Sequence, residues 1–325
     1  MTARSVFVGA AALVSVLSVT PASTALADQP TARDAGLIVF TGETATDAQI
    51  WAVRPDGTQL RQITHVPGEA VNPDLSPDGR TITFEWALPT NNVAVRIGFV
   101  DTDGGNLRAL PVTAGHCADG QPSFTPDGQR IVYESFDCAS DDALFSRKVQ
   151  GGDVQRINTP FPDGDTDPNV SPDGMRLSFI RYDNGVEFQQ ALTTSDLDGS
   201  DQRDLVPPSF DVGIKTGWSP NGRRIVFTRD ANPDPVTGIL EANVATIGAD
   251  GRHPRNLTDY HGGRLSAFAG SYSPDGLWIV YRLQDNETGR SGLWKMWPDG
   301  THHTLIFSHD GLRARNIDWG AAVVG

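Results

Sequence analysis

Four histidines of this 325-residue chain occupy similar settings, and imidazole is the side chain that most readily binds metals or moves protons near neutral pH. Each lies in a long connection between two runs of apolar residues, beside glycine, proline or aspartate. Imidazoles that converged from such connections could bind a transition metal or an anionic ligand. Ordinary polar loop residues would give the same pattern, because the four stand at unequal distances from the turns that follow them. The candidates are His65, His116, His261 and His309.

An alternating acidic segment is a second candidate site, because carboxylates spaced in this way can supply oxygen ligands to Ca²⁺. It contains Asp163, Asp165 and Asp167. The segment is incomplete as an EF-hand loop, since Pro168 stands where glycine is needed and Gly174 stands where an acidic residue is needed. Aspartates in solvated turns are the alternative interpretation. We therefore predict no resident cofactor, with Ca²⁺ here or a transition metal at the histidines as the alternatives.

The two cysteines of the chain, Cys117 and Cys138, flank a predicted turn at equal distances. A hairpin that pairs Thr125 with Arg130 in unbroken register would place the two thiols opposite each other, which favours a disulfide in an oxidising compartment. Metal binding or thiol catalysis would need a third soft ligand or a CxxC spacing, and the sequence has neither. It also contains no GxSxG elbow, P-loop, dinucleotide-binding glycine motif or HExxH, so we assign no catalytic residue.

A turn sequence that recurs about every 50 residues indicates the elements that position these side chains. Proline presets φ at the second place, Asp or Asn bonds the local backbone, and glycine accepts positive φ, so each copy should join two strands. The third and fifth residues after each glycine are apolar, which places both on one buried strand face. The copies are Ser76-Pro77-Asp78-Gly79, Thr125-Pro126-Asp127-Gly128, Ser171-Pro172-Asp173-Gly174, Ser219-Pro220-Asn221-Gly222 and Ser273-Pro274-Asp275-Gly276.

A second series of glycine turns has six members, which predicts six blades rather than five. The chain ends explain the missing copy of the first series, because residues 34–40 match the strand after a turn and residues 316–319 match the strand before one. We predict an all-β fold, a six-bladed β-propeller whose sixth blade is closed by the N- and C-terminal strands. The second series contains Gly57, Gly104, Gly151, Gly199, Gly251 and Gly300.

The turn tetrads, together with segments such as 50–57 and 255–258, resemble the TolB-type propeller, the six-bladed carboxy-terminal domain of the periplasmic TolB proteins. The resemblance covers the chain from about residue 34 to its end. It implies a non-catalytic ring that binds a protein or a cell-envelope polymer through the loops of its channel face. TolB proteins carry an amino-terminal α/β domain ahead of the propeller, whereas here we expect the propeller alone, so the functions of that domain are not carried over.

A different class of function is also compatible with such a ring. The oligogalacturonate lyases are similar six-bladed rings that hold a histidine-bound metal in the channel, although no segment here matches them closely enough to carry residues over. The alternative function is therefore that of a metal-dependent carbohydrate-active enzyme, similar to a polysaccharide lyase, that uses the channel histidines.

The first 27 residues have the features of a secretory signal peptide, with Arg4 ahead of an apolar stretch and Ala27 at the predicted cleavage site. We predict a signal peptide over 1–27, a short linker over 28–33 and the propeller over 34–325. The product would be exported to the extracellular or periplasmic cell-envelope space as a monomer, with no stable membrane insertion after cleavage. The net charge of −14 disfavours nucleic acid as a partner, since both molecules would be negative.

The metal content of the protein separates the two functions. We expect the mature protein, purified without chelators or metal-affinity resin, to contain no stoichiometric transition metal. About one metal ion per chain, lost in a His65→Ala/His261→Ala double variant, would contradict the binding-module prediction and favour the enzyme. Elemental analysis of both proteins is the measurement.

Overall fold

The computed structural model describes residues 36–89, 95–137, 142–157, 164–182, 190–207, 211–230 and 238–321. In these residues six four-stranded antiparallel sheets are present, which confirms the predicted six-bladed β-propeller. The predicted signal peptide and linker lie outside the described residues. In chain order the strands are β1 Leu37–Glu43, β2 Ala48–Val53, β3 Arg61–Gln62, β4 Glu69–Leu75, β5 Thr81–Ala87, β6 Val95–Asp101, β7 Arg108–Ala109, β8 His116–Phe124, β9 Arg130–Asp137, β10 Asp142–Lys148, β11 Gln155–Arg156, β12 Asp165–Val170, β13 Arg176–Tyr182, β14 Gln190–Asp196, β15 Arg203–Val206, β16 Gly213–Trp218, β17 Arg224–Arg229, β18 Asn243–Gly248, β19 Arg255–Asn256, β20 Leu265–Tyr272, β21 Ile279–Asp285, β22 Ser291–Met296, β23 Thr304–Ser308 and β24 Arg313–Gly320.

Each blade presents one strand to a central channel and places its other three strands successively farther out. Neighbouring innermost strands contact each other around the ring, so together they form the channel wall. We call the end of the channel that carries the proline-containing turns the turn face, and the opposite end the loop face. The innermost strands are β4, β8, β12, β16, β20 and β24.

The turn tetrads form the tight hairpins that their residue types predict. In the first copy the Gly79 N–H donates to Ser76 O at 2.8 Å, and Gly79 has a φ of 71°. The Ser76 hydroxyl donates to Asp78 Oδ1 at 2.6 Å and accepts from the Thr81 N–H at 2.9 Å. The same bonds recur in the other copies. Each tetrad therefore fixes where one innermost strand ends and the next strand begins.

The hairpin around the Thr125 turn departs from the uniform register expected of it. Two register shifts in β8 bring His116 opposite Asp137. The expectation of unbroken register is therefore wrong, because the pairing shifts at Cys117 and again between Gly120 and Ser123. Cys138 itself lies outside the described residues, so the disulfide stays a prediction.

The sixth blade contains both ends of the described chain, which confirms the predicted closure. β24 pairs antiparallel with β1, with Trp319 opposite Ile38, and β2 and β3 complete the sheet. Both of these side chains are buried. The pairing removes the free edges that an open ring would expose to solvent and to other chains.

The apolar core lies between the faces of neighbouring blades. Ile82 and Phe84, the third and fifth residues after their turn glycine, are fully buried. They pack in one cluster with Val39 and Ile50 of the sixth blade. Burial of an Ile or Phe side chain stabilises a fold by roughly 1.5–3 kcal/mol. Because equivalent clusters occupy the other blade interfaces, each blade is stabilised mainly by its neighbours.

Every innermost strand contains a β-bulge a few residues before its end. In five of the six, the bulge holds a non-glycine residue at a φ of 47–75°, a conformation that costs roughly 1–2 kcal/mol. In β20 the bulge contains Gly270 instead, where an added Cβ would lie 2.9 Å from Ile317 Cβ of β24. The five residues at positive φ are Asn72, Gln121, Asp167, Lys215 and Asn316.

Hydrogen bonds from one blade to the next hold the innermost strands in place. In each case the acceptor is the side chain directly before the bulky apolar residue near the end of one innermost strand. It accepts the N–H of the corresponding apolar residue on the neighbouring innermost strand. This bond crosses three of the blade interfaces and uses a buried backbone donor that would otherwise be unsatisfied. The pairs are Asp74 Oδ2 with Phe124 N at 2.8 Å, Asp318 Oδ2 with Leu75 N at 3.0 Å and Ser271 Oγ with Trp319 N at 2.6 Å.

Removal of one such acceptor should weaken the closure of the ring. In Ser271→Ala the buried Trp319 N–H loses its acceptor, so we expect the free energy of unfolding to fall by about 1–3 kcal/mol. Urea unfolding followed by tryptophan fluorescence measures the change.

Ser123→Ala is the matched control, because Ser123 holds the same place in β8 and is also buried. Its hydroxyl forms no hydrogen bond to Val170 N, although the structure describes both residues. We expect a change of less than about 0.5 kcal/mol in this variant. Equal losses in the two variants would contradict a specific role for the Ser271 bond.

Candidate binding site in the central channel

The side chain of Lys215 crosses the channel. This residue is buried on β16, and its Nζ donates to Pro73 O of β4 at 3.1 Å. The two strands lie three blades apart, so the side chain joins opposite walls of the ring. Lys215 Nζ also lies 4.0 Å from Asp74 Oδ1. One basic side chain thus separates the loop-face half of the channel from the turn-face half.

Lys215 lies among three carboxylates, and the pKa values of Lys215 and of Asp74 both differ from their usual values. Burial lowers the pKa of Lys215, but Asp74, Asp318 and Asp167 outweigh this effect and raise the pKa above its usual value. Burial and the nearby Asp318 raise the pKa of Asp74 to about 7, although Lys215 acts in the opposite direction. Lys215 is therefore charged at neutral pH, whereas Asp74 exchanges its proton near that pH.

The acidic segment predicted as a Ca²⁺ site has a different environment from the one expected. Asp165 and Asp167 are buried on β12, so the interpretation as solvated turn aspartates is wrong for both. Asp165 forms a two-pronged ion pair with Arg181, with distances of 2.9 and 3.0 Å. Asp167 Oδ2 accepts the N–H groups of Lys215 and Thr216. Asp163 lies outside the described residues, and Ca²⁺ binding at this segment stays a prediction.

Three of the four candidate histidines are exposed, and one of them, His261, also lies 4.0 Å from Glu241. Gln62 Nε2 donates to His65 Nδ1 at 3.1 Å. His261 Nε2 donates to Asp259 Oδ1 at 2.9 Å, and 70% of its side chain is exposed. His309 lies in the connection before β24. Among the described residues no group of three or more His, Cys, Asp and Glu side chains could hold a metal ion. The structure does not bring these histidines together, and ligand binding by them stays a prediction.

His116 is the fourth candidate and belongs to a polar cluster within its own blade. Its Nδ1 lies 3.0 Å from Ser135 Oγ, which donates to Asp119 Oδ1 at 2.6 Å. In a catalytic triad the imidazole stands between the hydroxyl and the carboxylate, and the hydroxyl faces the substrate. Here the hydroxyl stands between the other two groups and Ser135 is fully buried. The cluster therefore supports the packing of the blade and presents no nucleophile to a substrate.

A cavity of about 280 Å³ forms the loop-face mouth of the channel. Its walls come from the blades that contain β12, β16, β20 and β24. Three basic side chains line it, and none of its described lining residues is acidic. Prominent lining residues are Gln190, Lys215, Phe268, Arg282, Arg315 and Asn316.

A second cavity, of about 310 Å³, forms the turn-face mouth. The five prolines of the turn tetrads surround it, with Leu75, Phe124, Trp218 and Trp319 between them. Asp74 and Asp318 lie at its inner end beside Lys215. The two mouths therefore differ in chemistry, since the turn face is apolar at its rim and the loop face is basic.

The sequence contains a signal for the channel lining that the turn tetrads did not cover. Asn72-Pro73, Gln121-Pro122 and Asp167-Pro168 stand at the same distance before three of the tetrads, and their first residues are the bulged residues at positive φ. Lys215 stands at the same distance before its own tetrad, so the sequence pattern also identifies this residue. No sequence pattern identifies Arg282, whose side chain is recognised only from its place beside the cavity.

Residues 96–267, just over half of the chain, match the sequence pattern of the TolB beta propeller domain family. The chain belongs to the TolB β-propeller domain family. Membership agrees with the six blades, the turn tetrads and the terminal closure described above. No helix among the described residues is long and apolar enough to cross a membrane.

Relatives of this TolB-family chain include an uncharacterized protein of Agrobacterium fabrum, 29% identical over 142 residues, which are 41% of this chain and 47% of that protein. TolB from Acinetobacter baumannii has a TM-score of 0.69 at 19% identity, covering 88% of this chain and 66% of that one. A putative TolB from Agrobacterium tumefaciens has a TM-score of 0.64 at 16% identity, covering 86% and 91%. The chain spans less than half the length of the curated relatives it matches, and the structural likeness shows a shared fold.

The raised pKa of Asp74 predicts how stability depends on pH. The folded state binds a proton at Asp74 more tightly than the unfolded state does, so the free energy of unfolding should fall as the pH rises from about 4 to about 7. Asp74→Asn keeps an oxygen for the Phe124 N–H but cannot titrate. Relative to this variant, the wild type should lose on the order of 4 kcal/mol at most across that range.

Urea unfolding at several pH values measures this slope. Asp78→Asn is the control, because hydrogen bonds from Ser76 and the backbone lower the pKa of Asp78. Its contribution to stability is lost only below a pH of about 4, so the control and the wild type should run parallel between pH 5 and 7. Parallel curves for Asp74→Asn and wild type would contradict proton uptake at Asp74.

Proposed function

We propose that the chain is an exported, non-catalytic binding propeller that holds a segment of its partner in the loop-face mouth. The partner is a protein or a cell-envelope polymer, as the TolB-type family suggests. The observation that carries the proposal is the loop-face cavity itself, which four blades build and which contains three basic side chains. A concave site with a few convergent polar groups is the usual form of a binding site.

The walls of this cavity are preorganised, which favours binding without a conformational change. They belong to strands rather than to long loops, and the bulges beside the mouth are held by the preceding blade. Asp167 accepts the N–H groups of the β16 bulge, and Thr228 Oγ1 accepts the Ala269 N–H of the β20 bulge at 2.8 Å. Rigid sites lose less conformational entropy when a ligand binds.

The size of the cavity limits what enters it. A volume of about 280 Å³ is at the lower end of small-molecule sites and accommodates a few side chains or one sugar unit. We therefore infer that a projecting segment of the partner enters the mouth while the rest lies on the loop face. Export is supported by the signal-peptide features of residues 1–27, which would bring the chain to partners in the cell envelope.

Site-specific photo-crosslinking tests the location of the binding site. A photoreactive phenylalanine derivative at Gln190, in the mouth, should capture a partner from the cell envelope. The same photoreactive group at Leu277, an exposed residue just after a turn tetrad, should not crosslink to that partner. The captured partner is then purified and titrated against the propeller.

Binding of the purified partner should depend on space in the mouth. Gln190→Trp fills part of the cavity and should weaken binding at least about tenfold, a loss of roughly 1.4 kcal/mol. Leu277→Trp, the matched control on the turn face, should leave the affinity unchanged. Equal affinities for the two variants, or stronger loss in the control, would contradict a binding site on the loop face.

A further inference from the structure

The loop-face mouth contains a buried guanidinium whose charge no carboxylate of its own site neutralises. Arg282 lies on β21 with only 7% of its surface exposed, and it lines the cavity. Its Nε is buried and has no hydrogen-bond partner among the described residues. The guanidinium carbon lies 3.9 Å from the centre of the Phe268 ring, so the group packs over the aromatic face. A buried charge in this state is costly unless a ligand completes its hydrogen bonds.

Of the three basic side chains in the mouth, Arg282 is the one that forms no ion pair with a carboxylate among the described residues. Lys215 bonds Pro73 O and faces three carboxylates. Arg315 lies 3.6 Å from Glu43, and Arg313 also pairs with Glu43. Burial, with Arg313 and Arg315 nearby, lowers the pKa of Arg282, although Glu43 acts in the opposite direction.

We propose that the loop-face mouth binds a single carboxylate of a polypeptide partner, with the Arg282 guanidinium as its counter-ion. The inference rests on the proposed function and names the group that the site recognises. A planar guanidinium matches a carboxylate through two parallel N–H···O bonds. Asn316 and Gln190 add amide groups to the same cavity, which suit the neighbouring peptide bonds.

The charge balance favours a polypeptide over an anionic polysaccharide. The site has one uncompensated positive charge, so it neutralises one negative group. A polyuronate carries a carboxylate on every sugar and would meet the field of a chain with a net charge of −14. A peptide that inserts one acidic side chain or its carboxy terminus brings a single negative charge to the protein, so the repulsion is smaller.

Short peptides test the proposal directly. The probes are the N-acetylated, C-amidated peptide Gly-Ser-Asp-Gly and its counterpart with Asn in place of Asp, titrated by calorimetry into the full mature chain. We expect the acidic peptide to bind at least about tenfold more tightly, since a charge-assisted hydrogen bond contributes more than a neutral one. Trigalacturonate and inorganic phosphate are titrated in parallel.

The variants separate the role of Arg282 from general charge. Arg282→Gln should abolish the preference for the acidic peptide, and Arg282→Lys, which keeps the charge without the planar group, should retain part of it. Arg290→Gln, at a side chain that is 74% exposed, removes the same charge away from the mouth and should change nothing. A structural arginine would lower the melting temperature when replaced, whereas we expect Arg282→Gln to melt at or above the wild-type temperature.

The outcomes distinguish this inference from the proposed function. Equal binding of the two peptides, or an unchanged preference in Arg282→Gln, would overturn the carboxylate site even if crosslinking at Gln190 still captures a partner. Tighter binding of trigalacturonate or phosphate than of the acidic peptide would overturn the polypeptide assignment. Loss of the preference in Arg282→Gln alone, with a folded protein, supports the inference whether or not the crosslinked partner is found.

Discussion

The antiparallel pairing of β24 with β1 is the constraint on which the rest of the structure depends. It joins the two ends of the described chain in one sheet, and it places β24 between β20 and β4 in the channel wall. Hydrogen bonds on both sides then hold β24, from Trp319 N–H to Ser271 on one side and from Leu75 N–H to Asp318 on the other. Closure over a long chain is entropically affordable, because each doubling of a loop adds only about 0.6 kcal/mol. Without this pairing, two sheet edges would be free and the channel would lack a wall.

Closure also determines how the channel is lined. The six innermost strands carry bulges at similar places, and five of these bulges hold a residue at positive φ. Side chains of the preceding blade accept the N–H groups that the bulges release, as Thr41 does for Asn72 and Thr228 does for Ala269. The residues at the mouth are therefore held from two blades at once. This double support is the physical reason to regard the mouth as a preorganised binding surface.

Charge compensation distinguishes the two ends of the channel. Between the two mouths, Lys215 faces Asp74, Asp167 and Asp318, so its charge is matched within the fold. At the loop-face mouth, Arg282 is buried beside two further arginines, and Glu43 is the acidic residue that acts on all of them. A buried charge with carboxylates beside it can remain inside the fold, whereas an unpaired one favours a negatively charged ligand. Charge pairing therefore separates Lys215, whose charge is matched within the protein, from Arg282, whose charge is available to a ligand.

The sequence by itself determined the number of blades and the hairpins, because each depends on residues close together in the chain. It also predicted the terminal closure, because residues 34–40 and 316–319 each repeat the local pattern of a strand beside a turn tetrad. Turn chemistry within four residues and the alternation of Ile82 and Phe84 are sufficient for that purpose. The binding surface depended on tertiary structure. Asp165 and Asp167 were expected in solvent but are buried, and the bulge beside Cys117 broke the expected register. The partners of Lys215 lie on other blades, one of them 142 residues away. The side chains around Arg282 come from three further strands, β20, β24 and β1. Local spacing carries no information about which blades face each other across the channel, so only the closed ring decided which charges are paired and which one is left for a ligand.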